Sequence, residues 1–173
     1  MKFKIEQLAI RPKNTEEAFQ LLSDMGITEW IGDKVTAFGS CFGEAVENNA
    51  NLSFNYQIAP AGVEFEVLEY NKKKFNPEAD NWTSSTETNW CDKSCGDESI
   101  VSHVGMHCTK AELYEWRQFF ALRKIPIAQE VFTSNHTNPN NKNKYNYVIF
   151  ATRDILGFDI KFIVRLNKDV EYV

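Results

Sequence analysis

The sequence predicts an α+β fold: two copies of a βαβββ unit whose strands curl into one cupped, incompletely closed sheet, with the helices outside. Three observations predict it. A glycine-initiated alternating strand recurs at an offset of 95 residues, from Gly62 to Gly157. A capped helix recurs at the same offset, and an apolar opening strand precedes each helix.

The recurring strands are Gly62–Leu68 (GVEFEVL) and Gly157–Ile163 (GFDIKFI). Both alternate apolar and charged residues, the period of a strand buried on one face. The helix starts are Asn14 with Glu17, and Thr109 with Glu112. Each resembles a capping box, in which the cap oxygen and the glutamate satisfy orphan backbone N–H groups. The first helix carries Ala18, Leu21, Leu22 and Met25 at helical spacing and ends at Gly26. The second carries Leu113, Trp116 and Phe120 and must end before Pro126. The opening strands are 7–11 and 103–107. Extended segments at 34–38, 52–58, 128–133 and 145–152 complete each half.

With 173 residues, 43% of them hydrophobic, the chain can bury one substantial core. The expected division is a first module at 1–70, a connector at 71–99 and a second module at 100–173, all within one structural domain. The connector contains Trp82 and Trp90 and reads either as a clasp or as an anchored linker. Residues 134–144 read as an Asn-rich hairpin tip, and His136 within it as a surface histidine. A net charge of −5 argues against nucleic-acid partners, and the lysines at 72–74, 142 and 144 fall in apparent loops. No apolar run approaches the ~18 residues of a membrane span, and the first residues lack the apolar block of a leader. A cytoplasmic protein is the expectation. Cys91 and Cys95 stand in a polar loop without a second ligand pair, so free thiols are favoured over zinc.

Alternation assigns the faces. Val63, Phe65 and Val67, Phe158, Ile160 and Phe162, Leu8 and Ile10, and Val104 and Met106 should meet the helices. The other face then carries Gln7, Arg11, Glu64, Glu66, His103, His107, Asp159 and Lys161. That polar set either faces water or lines a cavity. Two histidines at i, i+4 on this face, His103 and His107, with Gly105 midway between them favour the cavity.

The segments Ser102–Met106 (SHVGM) and Arg153–Ile163 (RDILGFDIKFI), in this order and spacing, resemble the vicinal oxygen chelate superfamily of glyoxalases, bleomycin-resistance proteins and extradiol dioxygenases. The resemblance implies metal ligands in the first and last strand of each module, which are Gln7, Glu66, His103 and Lys161 in this chain. Gln7, Glu66 and His103 fit the ligand pattern of glyoxalase-like enzymes. Lys161 stands where those enzymes carry a glutamate, and an ammonium has no lone pair to donate.

Three readings follow. One is a glyoxalase/bleomycin-resistance-like protein that binds a small polar molecule without a complete metal site, using Arg11, Glu64, His107, Asp159 and Lys161. Another is a metal-dependent lyase, isomerase or dioxygenase that holds Zn, Ni, Fe or Mn on Gln7, Glu66 and His103 with an altered fourth ligand. The last is a non-catalytic protein-interaction module. The resemblance also implies a homodimer.

Overall fold

Each half of the chain runs strand, helix, strand, strand, strand. The computed structural model describes residues 2–58, 62–76, 81–84, 99–136 and 142–167. The first half comprises β1 (Gln7–Arg11), α1 (Thr15–Asp24), β2 (Ile31–Cys41), β3 (Glu44–Asn55) and β4 (Glu64–Asn76). A short β5 (Asn81–Ser84) folds back on β4. The second half comprises β6 (Ile100–His107), α2 (Lys110–Leu122), β7 (Ile127–His136), β8 (Tyr145–Phe150), the single turn α3 (Arg153–Leu156) and β9 (Asp159–Arg165).

The final strand of each half enters through a glycine in the left-handed region, Gly62 at φ 88° and Gly157 at φ 81°. Side chains with a Cβ are strained there, which explains why the repeat keeps glycine at both corners. Thr109 and Glu112 form the full reciprocal capping box at the start of α2, whereas Asn14 caps α1 through a single bond from Glu17 N.

Strand order is β1-β6-β9-β8-β7-β2-β3-β4-β5, and β1 also pairs in parallel with β4. Eight strands therefore form a closed ring, with β5 appended to β4. The sequence predicts a cupped, incompletely closed sheet; the cup is present and its sheet closes. Two pairings close it: β1 with β6, and β2 with β7. At the second seam Gly39 lies opposite Val131, and a Cβ on Gly39 would stand 1.9 Å from the Glu130 carbonyl oxygen. Glycine is what lets the two backbones meet there.

The helix-side core is as the alternation predicts in the second half. Leu113, Trp116 and Phe120 of α2 pack on Met106, Val148, Phe150, Ile160, Phe162 and Val164. Trp116 stacks on Phe162 at 5.3 Å and Phe120 on Phe150 at 4.2 Å. Such aromatic pairs add to the burial energy of each ring.

The first half departs from expectation. Leu21 and Met25 are 61% and 66% exposed, and α1 buries no residue fully. Its inner face is turned toward Phe19, which meets Trp30 at 4.9 Å, and Trp30 in turn meets Phe65. A large aromatic one turn before Leu22 outweighs the aliphatic stripe, because its buried area is greater.

Several strands are longer than their local patterns suggest. β2 spans eleven residues, and β3 begins at Glu44 and stops at Asn55, before Tyr56–Ile58. Pairing with neighbours on both sides carries these strands through polar residues that would not form a strand alone. β4 and β5 enter the connector, whose residues 77–80 and 85–98 lie outside the described residues, as do Trp90, Cys91, Cys95 and the side chain of Trp82. The hairpin tip at 137–141 also lies outside them, while β7 reaches His136.

Candidate functional site

The two ends of the ring are filled differently. At one end Ala37, Cys41, Val46, Ala128, Val131 and Ile149 pack together and plug the interior. At the other end a cavity of about 270 Å³ opens. Its walls are Ile31, Leu52, Phe54 and Ile163 together with Tyr56, Tyr145 and Tyr147, and its polar groups include Gln7, Asp33, Glu64, Glu66, His107 and Lys161. A smaller chamber of about 40 Å³ continues beneath it, bordered by Asn48, Ala50, Val131 and Ile149 and sharing Leu52, Glu66, Tyr147 and Lys161 with the chamber above. Both halves of the chain contribute walls, so one chain completes the cavity.

Gln7, Glu66, His103 and Lys161, one from each of β1, β4, β6 and β9, meet at the floor. Lys161 Nζ donates to Gln7 Oε1 at 3.1 Å and lies 3.8 Å from Glu66 Oε2 and 4.6 Å from the Tyr147 ring centroid. His103 Nε2 lies 2.9 Å from Gln7 Oε1 and 3.2 Å from Glu66 Oε2. The Gln7 amide nitrogen donates to Glu64. Gly105 leaves room for this arrangement, since a Cβ there would stand 3.0 Å from Gln7 Oε1.

This network assigns the protons. Both neighbours of His103 Nε2 are acceptors, so Nε2 carries the hydrogen, and Nδ1 faces Ser102 Oγ at 3.0 Å as the acceptor. Burial, with the Lys161 ammonium next in weight, pushes the His103 pKa down to about 4 despite the opposing pull of Glu66. The imidazole is therefore neutral at ordinary pH. Burial pushes the Glu66 carboxyl up, but the Lys161 ammonium and His103 outweigh it and hold the group below its ordinary value. Glu66 is ionised, and Lys161 compensates it. Burial also raises the Tyr147 hydroxyl, with added repulsion from Tyr145, Glu66, Glu64 and Asp33. Tyr147 stays protonated.

The floor does not fit a divalent cation. Of the four positions, Lys161 supplies a positive charge rather than a lone pair, and it already occupies Gln7 Oε1 and faces Glu66. Among the described residues no three His, Cys, Asp or Glu side chains cluster as metal ligands.

The remaining sequence candidates divide. Glu64 lines the cavity, accepting from Gln7 and, at 2.5 Å, from the Tyr56 hydroxyl. His107 lies at the mouth, with its ring 3.5 Å from Glu6 Oε2. Asp159 and Arg11 do not line the cavity. The Asp159 carboxylate accepts from the backbone N–H groups of Thr152 and Arg153 and pairs with the Arg153 guanidinium at 3.3 Å. It holds the turn before β9, because a carboxylate just beyond an α-turn captures free N–H groups more readily than it points into a cavity. Arg11 is buried at the far end of β1.

Other residues at or near the cavity were not singled out from sequence. Tyr145 and Tyr147 stack at 5.5 Å on the inner face of β8, and their i, i+2 spacing with Ile149 was a readable signal. Asp33 pairs with His136 at 2.9 Å, both side chains being almost fully buried. His136 is thus no surface residue: β7 extends beyond its apolar stretch and carries the ring inside, where Val35 is its strand partner.

No family model and no curated protein matches this chain. Among solved structures, a hypothetical protein from Bacillus halodurans C-125 is similar over 98% of both chains, at 11% identity and a TM-score of 0.48. A methylmalonyl-CoA epimerase is similar over 92% of this chain and 93% of its own, at 13% identity and a TM-score of 0.42.

Proposed function

We propose that this chain is a vicinal oxygen chelate-type protein that binds a small polar organic molecule in its βαβββ cavity without a catalytic metal, in the manner of glyoxalase/bleomycin-resistance-like binding proteins. The paired topology and the meeting of Gln7, Glu66, His103 and Lys161 on one floor support the family reading. The single observation that carries the function is the Lys161 ammonium between Gln7 and Glu66. It turns a cation-binding set of donors into a neutralised, hydrogen-bonded floor.

The cavity above that floor has the mixture of apolar walls and a few oriented polar groups that suits small ligands. At about 270 Å³ it lies at or below the lower end of the usual range of ~300–1,000 Å³, so the ligand is small. Binding would occur in each chain independently, whether or not two chains associate as a homodimer.

The test is thermal melting of the purified protein against a panel of small polar molecules, repeated with Leu52→Trp. Leu52 borders both chambers, so the indole would fill them. A ligand-dependent rise in melting temperature that vanishes in Leu52→Trp is the expected result. A rise that survives the substitution would place binding elsewhere and remove the cavity from the account.

A further inference from the structure

Among the described residues, the charges around the cavity do not balance. Its walls carry three carboxylates, Asp33, Glu64 and Glu66, against one lysine. Lys161 compensates Glu66, and Asp33 has His136 beside it. Among the described residues, Glu64 is held only by neutral donors, the Gln7 amide and the Tyr56 hydroxyl. Even with a full positive charge credited to His136, and with any charge on His107 met by Glu6 beside it, one negative charge at the mouth is left over.

A second observation lies deeper. Asn48 Oδ1 is buried, belongs to a side chain that borders the lower chamber, and accepts no hydrogen bond among the described residues. Buried acceptors of this kind are costly unless a donor arrives to meet them. The cavity therefore calls for a ligand that brings hydrogen-bond donors and positive charge.

Resting on the cavity-binding reading above, we infer that the ligand is a small organic cation whose ammonium or amidinium group seats at Glu64 beside the Tyr56 ring. The rest of the molecule lies against Leu52 and Phe54 and turns a neutral donor toward the floor. The orientation follows from the lysine. Lys161 at the floor repels a cation placed there, so the positive end stays at the mouth. The aromatic face of Tyr56 adds a cation–π contribution at the same place.

The test uses three probes of one shape and different charge: phenethylamine, 2-phenylethanol and phenylacetate. Each is titrated into labelled protein and followed by two-dimensional NMR, with Glu64→Gln and Glu69→Gln as variants. Glu69 lies on the same strand but is exposed, which controls for net charge alone. Saturable shifts with phenethylamine, weakened at least about tenfold in Glu64→Gln but not in Glu69→Gln, are expected. Phenylethanol and phenylacetate should bind at least about tenfold more weakly to the unaltered protein. Tighter binding of phenylacetate or phenylethanol, or amine binding indifferent to Glu64→Gln, would overturn the cation assignment while leaving the cavity reading intact. No shift with any probe would overturn both.

Discussion

Lys161 Nζ lies 3.8 Å from Glu66 Oε2 at the floor of the cavity, and both side chains are withdrawn from water. A buried pair of this kind adds little net stability, yet losing one member strands the other charge. Lys161→Met should therefore destabilise the protein by about 3–5 kcal/mol, as should Glu66→Leu. The double substitution should recover most of the loss. Urea unfolding of the two single variants and the double variant checks this through the coupling energy.

His103 sets a pH dependence. Its pKa is near 6.5 when the chain is unfolded and is lowered to about 4 when folded. Between these values the unfolded chain binds more protons, so the contribution is fully present above pH 6.5 and is lost as pH falls toward 4. A shift of this size corresponds to roughly 3 kcal/mol. Glu66, also lowered, acts in the same direction below its ordinary value. Stability measured from pH 7 to 4 should fall, and His103→Gln should flatten the slope across the upper part of that window.

Gly39 should be essential to ring closure. Gly39→Ala places a methyl group 1.9 Å from the Glu130 carbonyl oxygen, a clash that only backbone movement can relieve. A cost of about 1–3 kcal/mol is expected, in the range of overpacked interiors. The loss should be local as well as global. Amide hydrogen exchange should accelerate along β2 and β7 more than along β6 and β9.

Lys161 should also be what keeps metal out. Lys161→Glu replaces the ammonium with a carboxylate beside Glu66, His103 and Gln7, giving donors in place of a repelling charge. Two adjacent buried carboxylates destabilise the metal-free protein. The variant should melt lower than the unaltered protein, and its melting temperature should rise with Zn²⁺, Ni²⁺ or Mn²⁺ where that of the unaltered protein does not.

Much of this architecture is legible in sequence because its signals are local. Gly62 and Gly157, the caps at Asn14 and Thr109, and the alternation in β4 and β9 each reflect backbone rules acting within a few residues. The same alternation places Gln7, Glu66, His103 and Lys161 on one face, and closure of the sheet brings them together. What escapes is non-local. The β2–β7 seam depends on the fit of Gly39 against a strand some ninety residues away, and no pattern around Gly39 announces it. Asp159 shares the strand period of the cavity residues, but a neighbouring turn claims its carboxylate. His136 sits in an Asn-rich stretch whose composition suggests exposure, and only the partner strand carrying Val35 draws it inward.

Metal content decides whether the Lys161–Glu66 floor excludes a cation. The purified protein, incubated with Zn²⁺, Ni²⁺, Fe²⁺ and Mn²⁺ in turn and then freed of excess, is assayed for bound metal per chain alongside Glu66→Ala and His103→Ala. Far less than stoichiometric metal is expected, unchanged by either substitution. One metal ion per chain, lost in both variants, would contradict that exclusion.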